Sequence, residues 1–181
     1  MNEIELLRAI EKAAADDVES LNLSGESLTK RPPEIGALIS LKRLFLRGNR
    51  LTELPPEIGK LANLTELSLD DNALAYLPPE IGELARLSIL LLFRNKLKTL
   101  PPEVGKLANL AKLDLASNHL TALPPEIGKL TNLTSLYLNG NSLPLPPEIL
   151  EARDDPDRIL NYYFEHLETI SKLEHSLKFS L

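Results

Sequence analysis

The sequence contains no cysteine and no tryptophan, and aromatic residues make up only 4% of its 181 residues. A chain without cysteine forms no disulfide bonds and has no thiol nucleophile, which excludes cysteine-dependent catalysis. The longest wholly apolar stretch, Ile89 to Phe93, is far too short to span a bilayer. Acidic residues near the N-terminus stand where a signal peptide carries positive charge, and no targeting segment is visible. We therefore expect a cytoplasmic protein.

Clustered positive charge is also missing. The formal net charge is -6, with a pI near 5.2, whereas a nucleic-acid binder needs grouped lysines and arginines to neutralise phosphates. We expect neither a nucleic-acid nor a membrane partner. The 43% apolar and 25% charged residues are typical of a folded chain. With so few aromatics, its core must be built from aliphatic side chains, and leucine recurs throughout the sequence.

Six segments of the chain begin at intervals of 23 residues and share the pattern L-x-x-L-x-L-x-x-N-x-L, and most continue into L-P-P-E-I-G-x-L. This period and leucine spacing are typical of a solenoid in which each unit contributes one short strand and one returning segment. Paired leucines such as Leu90 and Leu92 alternate with other residues at the strand period of two, so both point inward. The segments begin at Val18, Leu41, Leu64, Leu87, Leu110 and Leu133.

On these motifs the chain resembles the leucine-rich-repeat family, of the 23-residue type that carries Leu-Pro-Pro-Glu-Ile-Gly, over residues 18–150. The resemblance implies an α/β solenoid with a curved parallel sheet on its concave face and short helical segments on its convex face. It also implies a non-enzymatic module for protein–protein interaction, similar to scaffolds in small-GTPase signalling, with no cofactor and no metal. The predicted organisation is a helical cap over 1–17, six repeats over 18–150 and a second helical cap over 151–181.

Two recurring features have predicted structural roles. An asparagine stands where the chain leaves each strand, except in the first repeat, where Glu26 replaces it. A buried amide there can satisfy backbone groups of its own and the adjacent repeat. The Pro-Pro-Glu-Ile-Gly segments are predicted to begin short helices, since proline tolerates the first helical position. In the sixth repeat Leu150 replaces the glycine, so the solenoid is predicted to end there. The asparagines are Asn49, Asn72, Asn95, Asn118 and Asn141.

Helices are predicted at both ends of the repeats. Asn2 followed by Glu5 resembles a capping box, and a helix is expected over residues 2–15. Asp155 before Pro156 predicts the start of a second helix, which should run to about Lys178. The inward stripe of the first helix is predicted to be Ile4, Leu7, Ile10 and Ala14.

The second helix is longer than the end of one repeat can cover, at about 35 Å for 1.5 Å per residue. Its apolar stripe is therefore expected to be completed by a homodimer through this helix, by a following domain, or by folding back onto the solenoid. Residues 147–150 with 158–164 also resemble the join between repeats and GTPase domain in bacterial Roco proteins. That resemblance implies a repeat domain of a larger GTPase, although this chain has no phosphate-binding loop. The stripe positions left to be covered are Leu167, Ile170, Leu173 and Leu177.

The residues between the inward leucines face out and form columns across the sheet, because parallel strands lie about 4.8 Å apart. The fourth strand presents Ile89, Leu91 and Phe93 outward, flanked by Phe45 and Tyr137 two strands away on either side. We predict that this patch binds a protein partner; the alternative is that the chain's own tail or a dimer mate covers it. The charged residues predicted for the same partner-binding face are Arg43, Arg47, Glu66, Asp70, Arg94, Lys112 and Asp114.

Opposite charges on adjacent strands either pair with each other or orient a partner, and the sequence leaves both open. Glu66 and Asp114 stand two strands apart, about 9.6 Å, which overlaps the carboxylate separation of inverting glycosidases. Nothing in the pattern encloses a sugar, however, and Leu91 fills the strand between them. The sequence therefore predicts no enzyme. The predicted pairs are Arg43 with Glu66, Arg47 with Asp70, and Arg94 with Asp71.

Overall fold

Six short strands form one parallel sheet, in which each strand pairs with the next along the chain. The computed structural model describes residues 2–29 and 32–178, and the side chains of those residues up to 167. The architecture is the solenoid that the sequence predicts, with one strand and one returning segment in each repeat. The strands are β1 (Ser20–Asn22), β2 (Arg43–Phe45), β3 (Glu66–Ser68), β4 (Ile89–Leu91), β5 (Lys112–Asp114) and β6 (Ser135–Tyr137).

The five returning segments with an intact Pro-Glu-Ile/Val-Gly motif are 3₁₀ helices rather than α-helical turns. Each begins after an extended proline, such as Pro55 with φ -73° and ψ 145°, and has a second proline in its first turn. The segment is only five residues long. It closes with a hydrogen bond from Leu61 N–H to the carbonyl of Ile58, three residues earlier, which is the spacing of a 3₁₀ helix. These helices are Pro33–Ala37, Pro56–Lys60, Pro79–Glu83, Pro102–Lys106 and Pro125–Lys129.

Glycine permits the close stacking of these 3₁₀ helices. A Cβ at Gly82 or Gly105 would lie 2.5 Å from the carbonyl oxygen of Glu103 or Glu126 in the next repeat. Real Cβ atoms do not approach a carbonyl oxygen so closely, so only glycine fits where neighbouring repeats touch. At Gly128 the nearest atom to such a Cβ belongs to the Phe164 ring, 3.9 Å away, because a terminal helix takes the place of a further repeat.

The asparagine row forms a continuous hydrogen-bonded ladder beneath the turns, which confirms its structural role. Asn95 accepts a bond from Leu74 N–H (3.0 Å) and donates to the Leu69 (3.0 Å) and Leu92 (3.1 Å) carbonyls. Asn118 repeats this arrangement one repeat later and also donates to the Leu92 carbonyl, at 2.9 Å. One leucine carbonyl thus accepts from two successive asparagines, so that each turn is fixed partly by its neighbour.

Helix α1 (Glu3–Ala15) covers the N-terminal end of the solenoid, and its predicted capping box is present. Asn2 Oδ1 accepts from Glu5 N–H at 3.0 Å, and Glu5 Oε2 accepts from Asn2 N–H at 2.8 Å. The predicted inward stripe is wrong at Ile4, which is 63% exposed. Positions spaced by four and three residues share one helical face, and the face that meets the first repeat includes Ile10 but is turned away from Ile4. Its buried residues are Leu6, Ile10 and Ala13.

Two helices cover the C-terminal end of the solenoid. A single turn of α-helix, α2 (Pro147–Leu150), replaces the 3₁₀ helix of the sixth repeat, where the glycine is lost. The chain then passes along the outer edge of β6, where the Arg153 carbonyl accepts a bond from Leu136 N–H at 2.8 Å. Helix α3 (Pro156–Lys178) follows, and Asp155 caps it through a 3.1 Å bond from Arg158 N–H, as predicted.

The first turns of α3 are anchored in the core. Ile159, Leu160 and Tyr163 are buried, and Leu167 is half-buried against the same cluster. The stripe positions Ile170, Leu173 and Leu177 lie outside the residues whose side chains are described. Among the described residues, no helix combines the length and apolar character needed to cross a membrane.

The Tyr163 hydroxyl gives a test of this anchor, because it accepts a bond from the buried Leu123 N–H at 2.8 Å. Replacing Tyr163 with phenylalanine should lower the free energy of unfolding by about 1–2 kcal/mol, since the amide is left without a partner. Urea denaturation measures the change. The matched control is Tyr162→Phe, whose half-exposed ring stacks on His166. Equal midpoints for both variants would show that the hydroxyl does not hold the helix.

Candidate interaction surface

The strand register builds one continuous surface from the side chains that alternate with the inward leucines. Every strand pairs with its neighbour without an offset, so equivalent residues of all six repeats stand side by side. We call this surface the concave face. Its first column is Ser20, Arg43, Glu66, Ile89, Lys112 and Ser135, and its second is Asn22, Phe45, Ser68, Leu91, Asp114 and Tyr137.

The apolar centre of this face lies on β4 and just after it. Ile89, Leu91 and Phe93, here called the β4 patch, are each half-buried rather than freely exposed. Neighbouring side chains within each column stand about 4.8 Å apart and pack against each other sideways, which hides part of every side chain. Ser68 shows the effect, since it lies between Phe45 and Leu91 and is only 5% exposed. The patch is therefore an apolar surface held in place by its neighbours.

Cations lie over the aromatic rings of the face. The Arg94 guanidinium is 5.5 Å from the centre of the Phe93 ring. The Tyr137 ring has Lys112 Nζ at 5.4 Å and the Arg153 guanidinium at 5.8 Å. Each exposed contact of this kind contributes about 0.5–1 kcal/mol. The repeat pattern does not predict Arg153 for this face, because the residue follows the repeats. The backbone contact of Arg153 with the edge of β6 brings it there.

The ion pairs differ in part from those predicted. Arg94 Nη1 lies 3.7 Å from Asp71 Oδ1, as expected, but Arg47 Nε also pairs with Asp71, at 3.3 Å, and not with Asp70. Asp71 adopts a left-handed backbone with φ 54°, and its carboxylate lies between the two guanidinium groups. Within the described part of the chain, the adjacent residues Arg43 and Glu66 form no ion pair.

Asp70 instead turns toward β4. Its Oδ1 accepts a 2.9 Å bond from Phe93 N–H. Burial raises the pKa of the Asp70 carboxyl above its ordinary value, an effect that this hydrogen bond partly offsets. The negative charge of Asp114 raises the pKa further, and Arg47 lowers it.

Asp114 on β5 is in a similar position. Its Oδ1 accepts from Ala116 N–H at 3.0 Å, and burial raises the pKa of its carboxyl despite that bond and the nearby Lys112. Carboxyl groups whose pKa is shifted by burial occur often at functional sites. The face thus carries two half-buried carboxylates, one on each side of the β4 patch.

Two cavities lie near the ends of the solenoid. A depression of about 410 Å³ adjoins the C-terminal end of the face and is lined by Asn139, Pro147, Leu150, Glu151 and Arg153. An apolar void of about 20 Å³ lies beneath α1, among side chains that include Leu6 and Leu23. Among the described residues, no group of three or more histidine, aspartate or glutamate side chains is placed to hold a metal ion. The face therefore offers apolar contact, cations and carboxylates for recognition.

Comparison with known proteins gives consistent results. A family profile described as "Leucine rich repeat" matches residues 39–97 and 85–143, which together cover more than half of the chain. A leucine-rich-repeat protein of Leptospira interrogans is 41% identical, with 70% of this chain and 38% of that chain aligned at a TM-score of 0.62. No curated protein sequence matches.

Two plant structures are also similar. The peptide hormone receptor RGFR1, solved in complex with RGF2, is 33% identical over 74% of this chain and 22% of that chain, with a TM-score of 0.65. The BIR3–SERK2 complex from Arabidopsis thaliana contains a chain 31% identical over 70% of both chains, with a TM-score of 0.58. This chain thus spans well under two thirds of the length of the Leptospira protein and of RGFR1.

Proposed function

Because this chain belongs to the leucine-rich-repeat family, we propose that it is a non-enzymatic module that binds a protein partner on its concave face. The observation that carries the proposal is the β4 patch. Its three apolar side chains face away from the core, and the described terminal helices pack at the ends of the solenoid rather than over β4. Full burial of an exposed side chain of this kind contributes about 1.5–3 kcal/mol, and completing the burial of a half-buried one contributes roughly half of that, so the three side chains together can anchor a partner.

The solved relatives support this proposal in general terms. The peptide hormone receptor RGFR1 was solved in complex with RGF2, and the BIR3–SERK2 structure is likewise a complex. In both structures a chain similar to this one is bound to another molecule. For this chain we propose that binding occurs in the cytoplasm and serves signalling of the small-GTPase type. Phe45 and Tyr137 would extend the contact on either side of the β4 patch.

A double substitution tests the proposal. Leu91→Asp together with Phe93→Asp should abolish partner capture when the chain is used for affinity purification from its native host, because two desolvated carboxylates would face the partner. The control is Ile4→Asp with Ile39→Asp, which makes the same chemical change at residues that are each 63% exposed and lie away from the face. Circular dichroism establishes that both variants fold. Recovery of the same partners with both variants would refute concave-face binding.

A second candidate function is assembly through α3, either as a homodimer or as the repeat domain of a larger Roco-like GTPase. The supporting observation is that α3 runs 23 residues, about 35 Å at 1.5 Å per residue, which is longer than the end of one repeat can cover. Sedimentation of the full chain beside a version ending at Leu167 separates the two candidates. A full-length dimer that becomes a monomer on truncation would favour assembly. A full-length chain that stays monomeric at high concentration would exclude a homodimer.

A further inference from the structure

We propose that the concave face recognises a protein segment carrying a basic side chain, which lies over the β4 patch with its charged head between Asp70 and Asp114. This inference rests on the proposed function and names the chemistry of the partner. Asp70 follows β3 and Asp114 lies on β5, so the two carboxylates flank β4 from opposite sides. Leu91 and Phe93 form the surface between them.

Both carboxylates are held in fixed orientations by the backbone. Asp70 Oδ1 accepts from Phe93 N–H at 2.9 Å, and Asp114 Oδ1 accepts from Ala116 N–H at 3.0 Å. In the part of the chain that the structure describes, Oδ2 of each residue has no hydrogen-bond partner, and neither residue forms an ion pair. Two acceptors are therefore already placed beside an apolar surface, with capacity left for donors from another molecule.

The cations nearest to these carboxylates are engaged elsewhere. Arg47 and Arg94 both pair with Asp71, and the Lys112 ammonium group lies over the Tyr137 ring. Arg47 lowers the pKa of the Asp70 carboxyl and Lys112 lowers that of Asp114, but neither cation forms an ion pair with them. Burial, and for Asp70 also the charge of Asp114, still raises the pKa of these carboxyls, so their ionised forms are held at a cost to the folded state. A cation supplied by a partner removes that cost.

Lysine and arginine match this arrangement because each combines an apolar stem with a charged head. Such side chains lay their methylene groups along apolar surface while the head reaches polar groups at its border. Here the stem would pack on Leu91 and Phe93, and the head would donate to the two Oδ2 atoms. An acidic segment would instead meet two carboxylates across a surface of reduced dielectric, where like charges repel strongly.

Selection from a random peptide library displayed on phage, with the full chain as bait, tests the inference. The expected consensus contains arginine or lysine next to an apolar residue. A synthetic peptide of that consensus should bind at least about tenfold more weakly to the Asp70→Asn, Asp114→Asn double variant, because its charge-assisted hydrogen bonds are lost. The matched control is Glu103→Gln with Glu126→Gln, which makes the same change in net charge on the convex 3₁₀ helices and should alter affinity by less than about twofold.

Thermal unfolding of the same double variant separates a binding role from a structural one. A raised pKa means that the folded state holds more protons than the unfolded state, so the carboxyls lower stability as pH rises through that interval. The asparagine variant should therefore melt at a higher temperature than the parent chain at neutral pH, and this gain should vanish in acid, where both carboxyls are protonated. A lower melting temperature at neutral pH would show that the carboxylates serve the fold, and the inference would be rejected.

The remaining outcomes distinguish failure of the inference from failure of the proposed function. A consensus without basic residues that is lost in the Leu91→Asp, Phe93→Asp chain would leave concave-face binding intact and overturn the basic-segment inference. Undiminished affinity for the double asparagine variant would do the same. Selection of the same peptides by the parent chain and by the Leu91→Asp, Phe93→Asp chain would overturn both.

Discussion

Replacing Asn95 with alanine should lower the free energy of unfolding by about 3 kcal/mol, because the buried Leu74 N–H loses its acceptor and two carbonyls each lose a donor. Asn95 is 5% exposed, so water cannot take over these bonds. The Leu69 and Leu92 carbonyls retain bonds from the neighbouring asparagines, which limits the loss. Urea denaturation followed by circular dichroism gives the free energy.

The control for this prediction is Asn109→Ala. Asn109 also donates to a backbone carbonyl, that of Ala85 at 2.7 Å, but it does so on the exposed side of the repeat. Because water replaces an exposed hydrogen bond, we expect a change of at most about 0.5 kcal/mol. If the two variants unfolded at the same urea concentration, burial of the asparagine ladder would contribute nothing to stability.

The second large effect is expected at Gly105. An alanine Cβ there would lie 2.5 Å from the Glu126 carbonyl oxygen and 2.7 Å from the Glu126 Cβ, so neighbouring 3₁₀ helices would have to move apart. Overpacking of this kind costs about 1–3 kcal/mol, and contact with backbone places this site at the upper end. The expected loss is therefore about 3 kcal/mol in the free energy of unfolding, measured by thermal and urea denaturation.

Gly128→Ala is the matched control, since it places the same methyl group at the same position of the next repeat. There the Cβ would lie 3.9 Å from the Phe164 ring, an ordinary contact. Alanine also restricts the unfolded chain more than glycine does, so we expect no loss and a gain of up to about 0.5 kcal/mol. Equal destabilisation at both positions would mean that helix propensity, and not the spacing of the repeats, explains the glycines.

The fold followed from the sequence because one period determines which leucines and asparagines of neighbouring repeats stand side by side. A constant interval of 23 residues places Leu44, Leu67 and Leu90 at equivalent positions, and the observed register is therefore without offset. The inward leucines and the asparagine ladder depend only on that period, and the structure has both. The sequence did not determine the helix type of the returning segments, since a proline at the start is compatible with both α-helical and 3₁₀ turns.

The errors fall where the 23-residue period does not decide which of several possible contacts a residue makes. The buried face of α1 is set by how the helix meets the first repeat, so the apolar stripe alone placed Ile4 inward when it is exposed. Asp70 was expected to pair with Arg47 because the two are neighbours across the sheet, but a backbone amide of the next repeat holds it. Arg153 reaches the concave face through a connection whose path the sequence does not reveal.

The alternation of large side chains along the second column sets a length scale on the concave face. Phe45, Leu91 and Tyr137 stand on every second strand, with Ser68 and Asp114 between them. Two strand spacings measure about 9.6 Å, and one turn of a polyproline II segment, three residues at about 3.1 Å each, measures about 9.3 Å. These two lengths nearly coincide. A polyproline II segment lying across the strands would therefore point every third side chain toward the sheet, in step with Phe45, Leu91 and Tyr137.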